Sequence, residues 1–167
     1  ESSGLPRGEI IENYRAIMNY LSPLSENAFS LSSLAHSPRA DLHFAEVKAL
    51  FNKLYISGAA AAIILAILAA MKVVSKRTLR ISGTVTLLVP AFLTAAALIN
   101  FDISFDIFHE LFFNSETWLF DSQTDKFISI LPSTFFMHCG FFIALFWLSA
   151  AILQLLIGYS ERKARNI

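Results

Sequence analysis

The sequence predicts an all-α integral membrane protein: three transmembrane helices in this chain and a folded extracytoplasmic cap. Three observations lead there. First, 55% of the 167 residues are hydrophobic and only 16% charged, with a mean hydropathy of +0.56, too apolar for an ordinary soluble domain. Second, three apolar runs of membrane length occur, about 55–74, 81–100 and 134–159. Third, the basic residues crowd two of the connecting segments and nearly avoid the third. One membrane domain, 1–167, is expected, with 1–54 and 101–133 as its outer parts.

The first 36 residues are polar and mixed. Ile10, Tyr14, Ile17 and Leu21 recur at helical spacing, and Pro23 closes that pattern, so a short amphipathic helix is expected. The Ser/Asn-rich run 25–37 reads as a loop or a shallow strand. Ser37 before Pro38 is a helix start: a hydroxyl cap followed by proline in the first turn. From there Leu42, Val47, Leu50, Phe51 and Leu54 predict an apolar stripe on a helix that runs into the first span. Residues 55–74 are broken only by Ser57, Gly58 and Lys72. At 1.5 Å per residue they cover roughly 30 Å, the thickness of a bilayer core. Ala59–Ala62 are small enough to admit a neighbouring helix closely. SKRTLR, 75–80, reads as a short basic turn, and Pro90 should kink the second span.

Residues 101–133 are not a plain connector. They carry six carboxylates (Asp102, Asp106, Glu110, Glu116, Asp121, Asp125), His109 and a dense set of aromatics. A stretch of about 30 alternating apolar and acidic residues is unusual for a structureless loop, so a folded cap at a membrane surface is expected. Lys72, Lys76, Arg77 and Arg80 crowd the first turn, Arg162, Lys163 and Arg165 the tail, and only Lys126 lies in 101–133. The positive-inside rule then puts turn and tail in the cytoplasm and places 1–54 and 101–133 outside. An outer N-terminal segment followed by three spans needs something to export it, so a further membrane helix is expected upstream of Glu1.

Four histidines and one cysteine are the candidates for chemistry. His43 and His109 both fall near the outer membrane surface. Histidine titrates near neutrality, so two facing one pocket can serve as base and acid; taken singly, each is more often an interfacial residue. His138 opens the third span and reads as an interface residue. Cys139 reads as a buried inert thiol, because adjacent helical residues do not face each other and His138 therefore cannot activate it. His109-Glu110 continues Leu-Phe-Phe, which is not a HExxH zinc site. No GxSxG elbow, Walker A loop or CxxC pattern occurs, and zero net charge offers no hint of nucleic-acid binding. Neither a cofactor nor a metal is expected.

Two stretches, LHFAEVKALF (42–51) and FHELFF…WLFD…TDKFISILPSTFF (108–136), resemble the bacterial lipoprotein intramolecular transacylase family, small membrane proteins of low-GC Gram-positive bacteria. His43, Val47, Lys48, Leu50 and Phe51 match the first pattern, with Glu46 where Asp is usual. Phe108, His109, Glu110, Phe112, Phe113, Trp118, Leu119, Phe120 and Asp121 match the second, which continues through Thr124, Asp125, Leu131, Pro132 and Phe136. The resemblance implies four spans with functional loops outside. It also implies an acyltransferase that moves the sn-2 acyl chain of a diacylglyceryl lipoprotein onto the α-amine of its N-terminal Cys, with membrane lipid around it.

His43 and His109 match the family's two functional histidines; His43 is assigned as base and His109 as acid or electrophile, an order that the sequence itself does not set. Lys48, Glu110, Trp118 and Asp121 are expected to meet the substrate. Glu110, Asp41 or Glu46 would hold a histidine tautomer. Packing of the cap at the lipid interface is the plainer role for Trp118 and the phenylalanines. Two alternatives stand beside the transacylase: a non-catalytic membrane scaffold or lipoprotein-binding subunit, and a metal-dependent lipid hydrolase.

Overall fold

In a computed structural model of the chain, residues 4–23, 25–113 and 115–160 are described. They form five α-helices, α1 (Arg7–Leu21), α2 (Pro38–Ala70), α3 (Lys76–Ile99), α4 (Phe101–Phe112) and α5 (Ser133–Tyr159), with a 3-10 turn at Lys126–Ser129. No strand occurs among the described residues. α2, α3 and α5 are long and apolar enough to cross a membrane. The basic tail used to orient the chain lies outside the described residues.

The chain divides into two compact units, one from the residues up to Ala62 with Asp106–Ser133, the other from Ile63–Phe105 with the residues from Thr134 onward. Among the described residues, the buried large side chains gather in the first unit, among them Ile17, Tyr20, Leu21, Leu31, Leu34, Phe44, Phe113 and Phe127. Of the stripe predicted on α1, Ile17 and Leu21 are buried and Ile10 and Tyr14 half-buried; Asn13 and Tyr20 complete the buried stripe. Asn13, fully buried on that stripe, donates to Ser33 Oγ (2.8 Å) and to the Glu9 carbonyl (2.9 Å). This satisfies a polar group that would otherwise destabilise the core and ties α1 to the 25–37 run, which is a loop. Lys48 makes a second tie, donating to the Ser25 carbonyl (2.8 Å) with its ammonium 4.3 Å from the Tyr20 ring centre.

α2 begins where Ser37-Pro38 predicts. The Ser37 hydroxyl accepts from the Ala40 N–H (3.3 Å), capping one of the free donors of the first turn. Its buried face is Ala40, His43 and Phe44, whereas Leu42 and Leu54 are exposed. Of the stripe drawn from Leu42 to Leu54, the two end leucines are thus exposed, while Val47, Leu50 and Phe51 are half-buried. The helix ends at Ala70 rather than at 74. Lys72 takes φ 54°, its N–H bonding the Ala69 carbonyl (3.0 Å) and the Val73 N–H the Leu68 carbonyl (3.4 Å), the paired bonds of a Schellman ending.

In the second unit, Ser75 caps α3 through the Thr78 N–H (3.0 Å), so SKRTLR is the opening of a helix rather than a turn. α3 passes through Pro90 as one helix. It meets α5 at two glycines. A Cβ on Gly83 would lie 2.9 Å from Leu155 Cδ2, and one on Gly158 would lie 3.2 Å from the Arg80 backbone nitrogen. Gln154 donates to Ser82 Oγ (2.6 Å) across the same contact, and Arg80 lies over the Tyr159 ring (5.3 Å). Small residues and an interhelical hydrogen bond are the usual adhesives between helices in lipid, where apolar burial supplies no drive. Ala59–Ala62 are exposed, so close approach rests on the two glycines instead. Asn100 caps both of its neighbours: its N–H bonds the Ala96 carbonyl at the end of α3, and its Oδ1 accepts from the Ile103 N–H (3.0 Å) at the start of α4.

Candidate active site

The 101–133 segment folds, and its fold serves one end of α2. Asp125 is 2% exposed. Its Oδ1 accepts the Ser37 N–H at 2.7 Å, and its Oδ2 accepts the Thr124 hydroxyl at 3.3 Å. A carboxylate here satisfies a backbone donor and meets the positive end of the α2 dipole. The Lys126 N–H bonds the Ala35 carbonyl (3.1 Å), and Arg39 donates to the Leu119 carbonyl (3.0 Å). These bonds fix where the segment sits along α2.

That placement brings His43 and His109 together, their ring centres 5.8 Å apart. The two are 5% and 7% exposed. Aromatic rings enclose them. Phe113 lies 4.9 Å from His43 and 5.5 Å from His109, Phe120 lies 5.3 Å from His43, and Trp118 lies 4.9 Å from His109. His43 sits in the polar first half of α2, outside the apolar run that begins near Tyr55. Burial, and after it nearby His109, hold its pKa down at about 4, with Glu46 pulling the other way. His43 is therefore a neutral imidazole at pH 7.

Glu46 follows on the same face of α2. Its Oε2 is 3.8 Å from His43 Nδ1. Ser115 Oγ is 2.9 Å from Oε1 and 3.1 Å from Oε2, and Thr117 Oγ1 is 2.6 Å from Oε2. A groove of about 510 Å³ lies alongside, lined by Glu110, Phe113, Ser115, Glu116, Trp118 and Leu119. A second groove, about 610 Å³, runs along α1 and touches neither histidine.

The other residues nominated from sequence separate into two sets. Glu110 and Trp118 line the groove. Lys48 is engaged with Ser25 and Tyr20, and Asp121 is exposed in a turn, where its Oδ1 accepts the Gln123 N–H (2.8 Å) and its carbonyl accepts from Thr124 and Asp125. Neither joins the histidine pair. Asp41 pairs with His36 (3.2 Å) instead of His43. His138 is exposed, with Nδ1 2.6 Å from the Thr134 carbonyl, and Cys139 is half-buried. Sequence reasoning passed over Asp125, Ser115 and Thr117 as working residues. The signal available for Asp125 was Thr-Asp just ahead of an apolar run, a pattern too common to single it out. Among the described residues no group of three or more His, Cys, Asp or Glu is arranged to hold a metal ion.

Fold and site define a class: a helical integral membrane protein with a buried histidine pair inside an aromatic cage, beside a groove with acidic walls. The comparisons with known proteins make the class specific. The family model for the lipoprotein intramolecular transacylase Lit matches residues 1–136. The in meso structure of the membrane integral lipoprotein intramolecular transacylase Lit from Bacillus cereus superposes with a TM-score of 0.87 at 32% identity, covering 93% of this chain and 73% of that one. Two structures of the same Bacillus cereus protein with one histidine replaced, by arginine or by alanine, superpose with a TM-score of 0.77, again at 32% identity over 93% of this chain; the match covers 70% and 72% of those chains. None of the curated proteins compared with the chain matches it. The chain belongs to the lipoprotein intramolecular transacylase family, membrane-integral acyltransferases.

Proposed function

We propose that this protein moves the sn-2 acyl chain of a diacylglyceryl lipoprotein onto the α-amine of the lipoprotein's N-terminal Cys. The observation that carries the reading is the buried pairing of His43 with His109, side chains from two distant stretches of the sequence that the Asp125 and Lys126 bonds hold in register. The nucleophile belongs to the substrate, so the enzyme needs no serine or cysteine of its own. The amine nitrogen attacks the ester carbonyl carbon, a C–N bond forms, and the C–O bond to the glyceryl oxygen breaks. One proton leaves the nitrogen and one arrives on that oxygen, and nothing else is consumed.

A free α-amine has a pKa near 8, so much of it reaches the site protonated. It loses its first proton on entering the apolar cage, where burial disfavours charge. As attack proceeds, the nitrogen becomes strongly acidic, and the neutral His43 takes its proton. His109 donates to the departing glyceryl oxygen or supports the developing oxyanion. Amine and ester sit in one molecule, so much of the catalysis is orientation: the cage must fold the substrate onto itself. Phe113, Phe120 and Trp118 supply apolar walls for that, and Glu110 at the groove suits a cationic N-terminus arriving from water. Lys72, Lys76, Arg77 and Arg80 support a cytoplasmic α2–α3 turn and hence an extracytoplasmic histidine pair, the side on which a lipoprotein is displayed.

The test is conversion of a synthetic diacylglyceryl-Cys peptide by the purified protein in detergent. An N-acyl, lyso-glyceryl product of unchanged mass establishes the transfer. Release of free fatty acid instead indicates a hydrolase. Retention of peptide without conversion indicates a binding scaffold.

A further inference from the structure

His43 Nδ1 is fully buried and has no hydrogen-bond partner. Such an atom in a native core is costly, and calls for an account. Among the described residues, the ionisable groups that act on the ring are His109, from α4, and Glu46, one turn along α2; Phe113 and Phe120 also stand against it. Glu46 Oε2 stands 3.8 Å from Nδ1, about 1 Å beyond a charge-assisted hydrogen bond. The carboxylate is not loose. Ser115 and Thr117 contact both of its oxygens and each other (2.8 Å). Two hydroxyl protons serve those contacts, whereas a carboxylate offers about four acceptor sites. By that count the carboxylate keeps capacity for one more N–H donor. The other carboxylates that sequence put forward for this role are placed elsewhere: Asp41 with His36, Glu110 on the groove.

We infer that Glu46 is a positioning residue for His43: its carboxylate, braced by the Ser115 and Thr117 hydroxyls, accepts the Nδ1–H of the neutral imidazole and thereby leaves Nε2 as the lone pair that receives a proton. The last clause rests on the transacylase reading; the tautomer does not. The arrangement has a second consequence. Ser115 and Thr117 lie just ahead of Trp118, whose ring stands 4.9 Å from His109, so the same carboxylate links the tautomer of one histidine to the wall against the other. When His43 gains a proton, the Glu46 charge stabilises the imidazolium, and the 3.8 Å gap has reason to close.

Nitrogen-15 histidine spectra of the purified chain in detergent micelles test this, with the His43 signals assigned by their loss in His43→Gln. The wild type is expected to show His43 as the Nδ1–H tautomer. Glu46→Gln, which keeps an acceptor for one hydroxyl but loses the charge, is expected to erase that preference and to shift the His43 titration to lower pH. In turnover it is expected to lower kcat by about 10- to 100-fold, with KM nearly unchanged and the acidic limb of the rate profile displaced to lower pH. A purely structural Glu46 lowers rate without moving tautomer or limb, and that result overturns the inference. If Glu46→Gln does not fold, the wild-type spectrum decides alone: an Nε2–H tautomer at His43 refutes the proposal. The spectra need no turnover, so absence of acyl transfer with an Nδ1–H tautomer implicates the reaction assigned above and not the role of Glu46.

Discussion

Burying His43 as a neutral ring makes the folded state sensitive to acid, and the size of that effect can be worked out. In the unfolded chain the imidazole titrates near 6.5; in the fold it is held at about 4. Between those values the unfolded chain binds a proton that the folded one refuses, so acidification favours unfolding. Stability falls with pH through that window and levels off below about 4, where both states are protonated. At 1.36 kcal/mol per pKa unit, the loss from pH 7 to pH 5 is about 2 kcal/mol, and the full loss is about 3 kcal/mol. Denaturant titration of the purified protein in detergent, followed by tryptophan fluorescence at half-unit pH intervals, measures it. Other groups titrate too, so the informative quantity is the difference between wild type and His43→Gln. That difference should change by about 2 kcal/mol between pH 7 and pH 5 in the direction that disfavours the wild type. Parallel pH profiles for the two proteins would refute the argument, because they would mean that His43 is protonated as easily folded as unfolded.

Three further outcomes follow from the same geometry. Asp125→Ala strands the Ser37 N–H at the start of α2; unfolding free energy should drop by about 1–3 kcal/mol, and Asp125→Asn, which keeps an acceptor, should lose less in the same denaturant assay. Gly158→Val drives a side chain toward the Arg80 backbone and should destabilise the α3–α5 contact by about 1–3 kcal/mol, read as a lower midpoint in thermal scanning with the acyl-transfer rate of the folded fraction retained. Chelation by millimolar EDTA should leave acyl transfer unchanged, since both proton transfers are assigned to imidazoles; inhibition reversed by added zinc would contradict that assignment.

Much of this architecture was legible in the sequence because lipid simplifies the problem. Long apolar runs have one outcome in a bilayer, and Ser37-Pro38 marks the α2 start by local chemistry alone. The boundaries were less legible. SKRTLR looks like a turn because it is basic, yet Ser75 caps a helix there, and Lys72 ends α2 by taking a backbone conformation that composition does not announce. Where the stripe on α2 faces was not legible: Leu42 and Leu54 are exposed, because periodicity finds an apolar stripe but cannot tell a core from lipid. At the site, His43 and His109 were recognisable from their motifs. Their meeting was not, because it depends on Asp125 and Lys126 bonding back to 35–37, contacts with no local signature. The place of Lys48 was no easier to read: its ammonium is engaged by Ser25 and Tyr20, partners that lie more than twenty residues away in the chain.

The central claim is that His43 and His109 together carry an intramolecular acyl transfer. The most direct measurement is mass spectrometry of lipoprotein N-terminal peptides from a host that makes only diacylglyceryl lipoproteins, supplied with the full-length gene for this protein, either wild type or with His43→Asn or His109→Asn. The account predicts N-acyl, lyso-glyceryl Cys with the wild type and only diacylglyceryl Cys with either variant present in the membrane at the wild-type level. Undiminished product from either variant, or no product from the wild type, would contradict it.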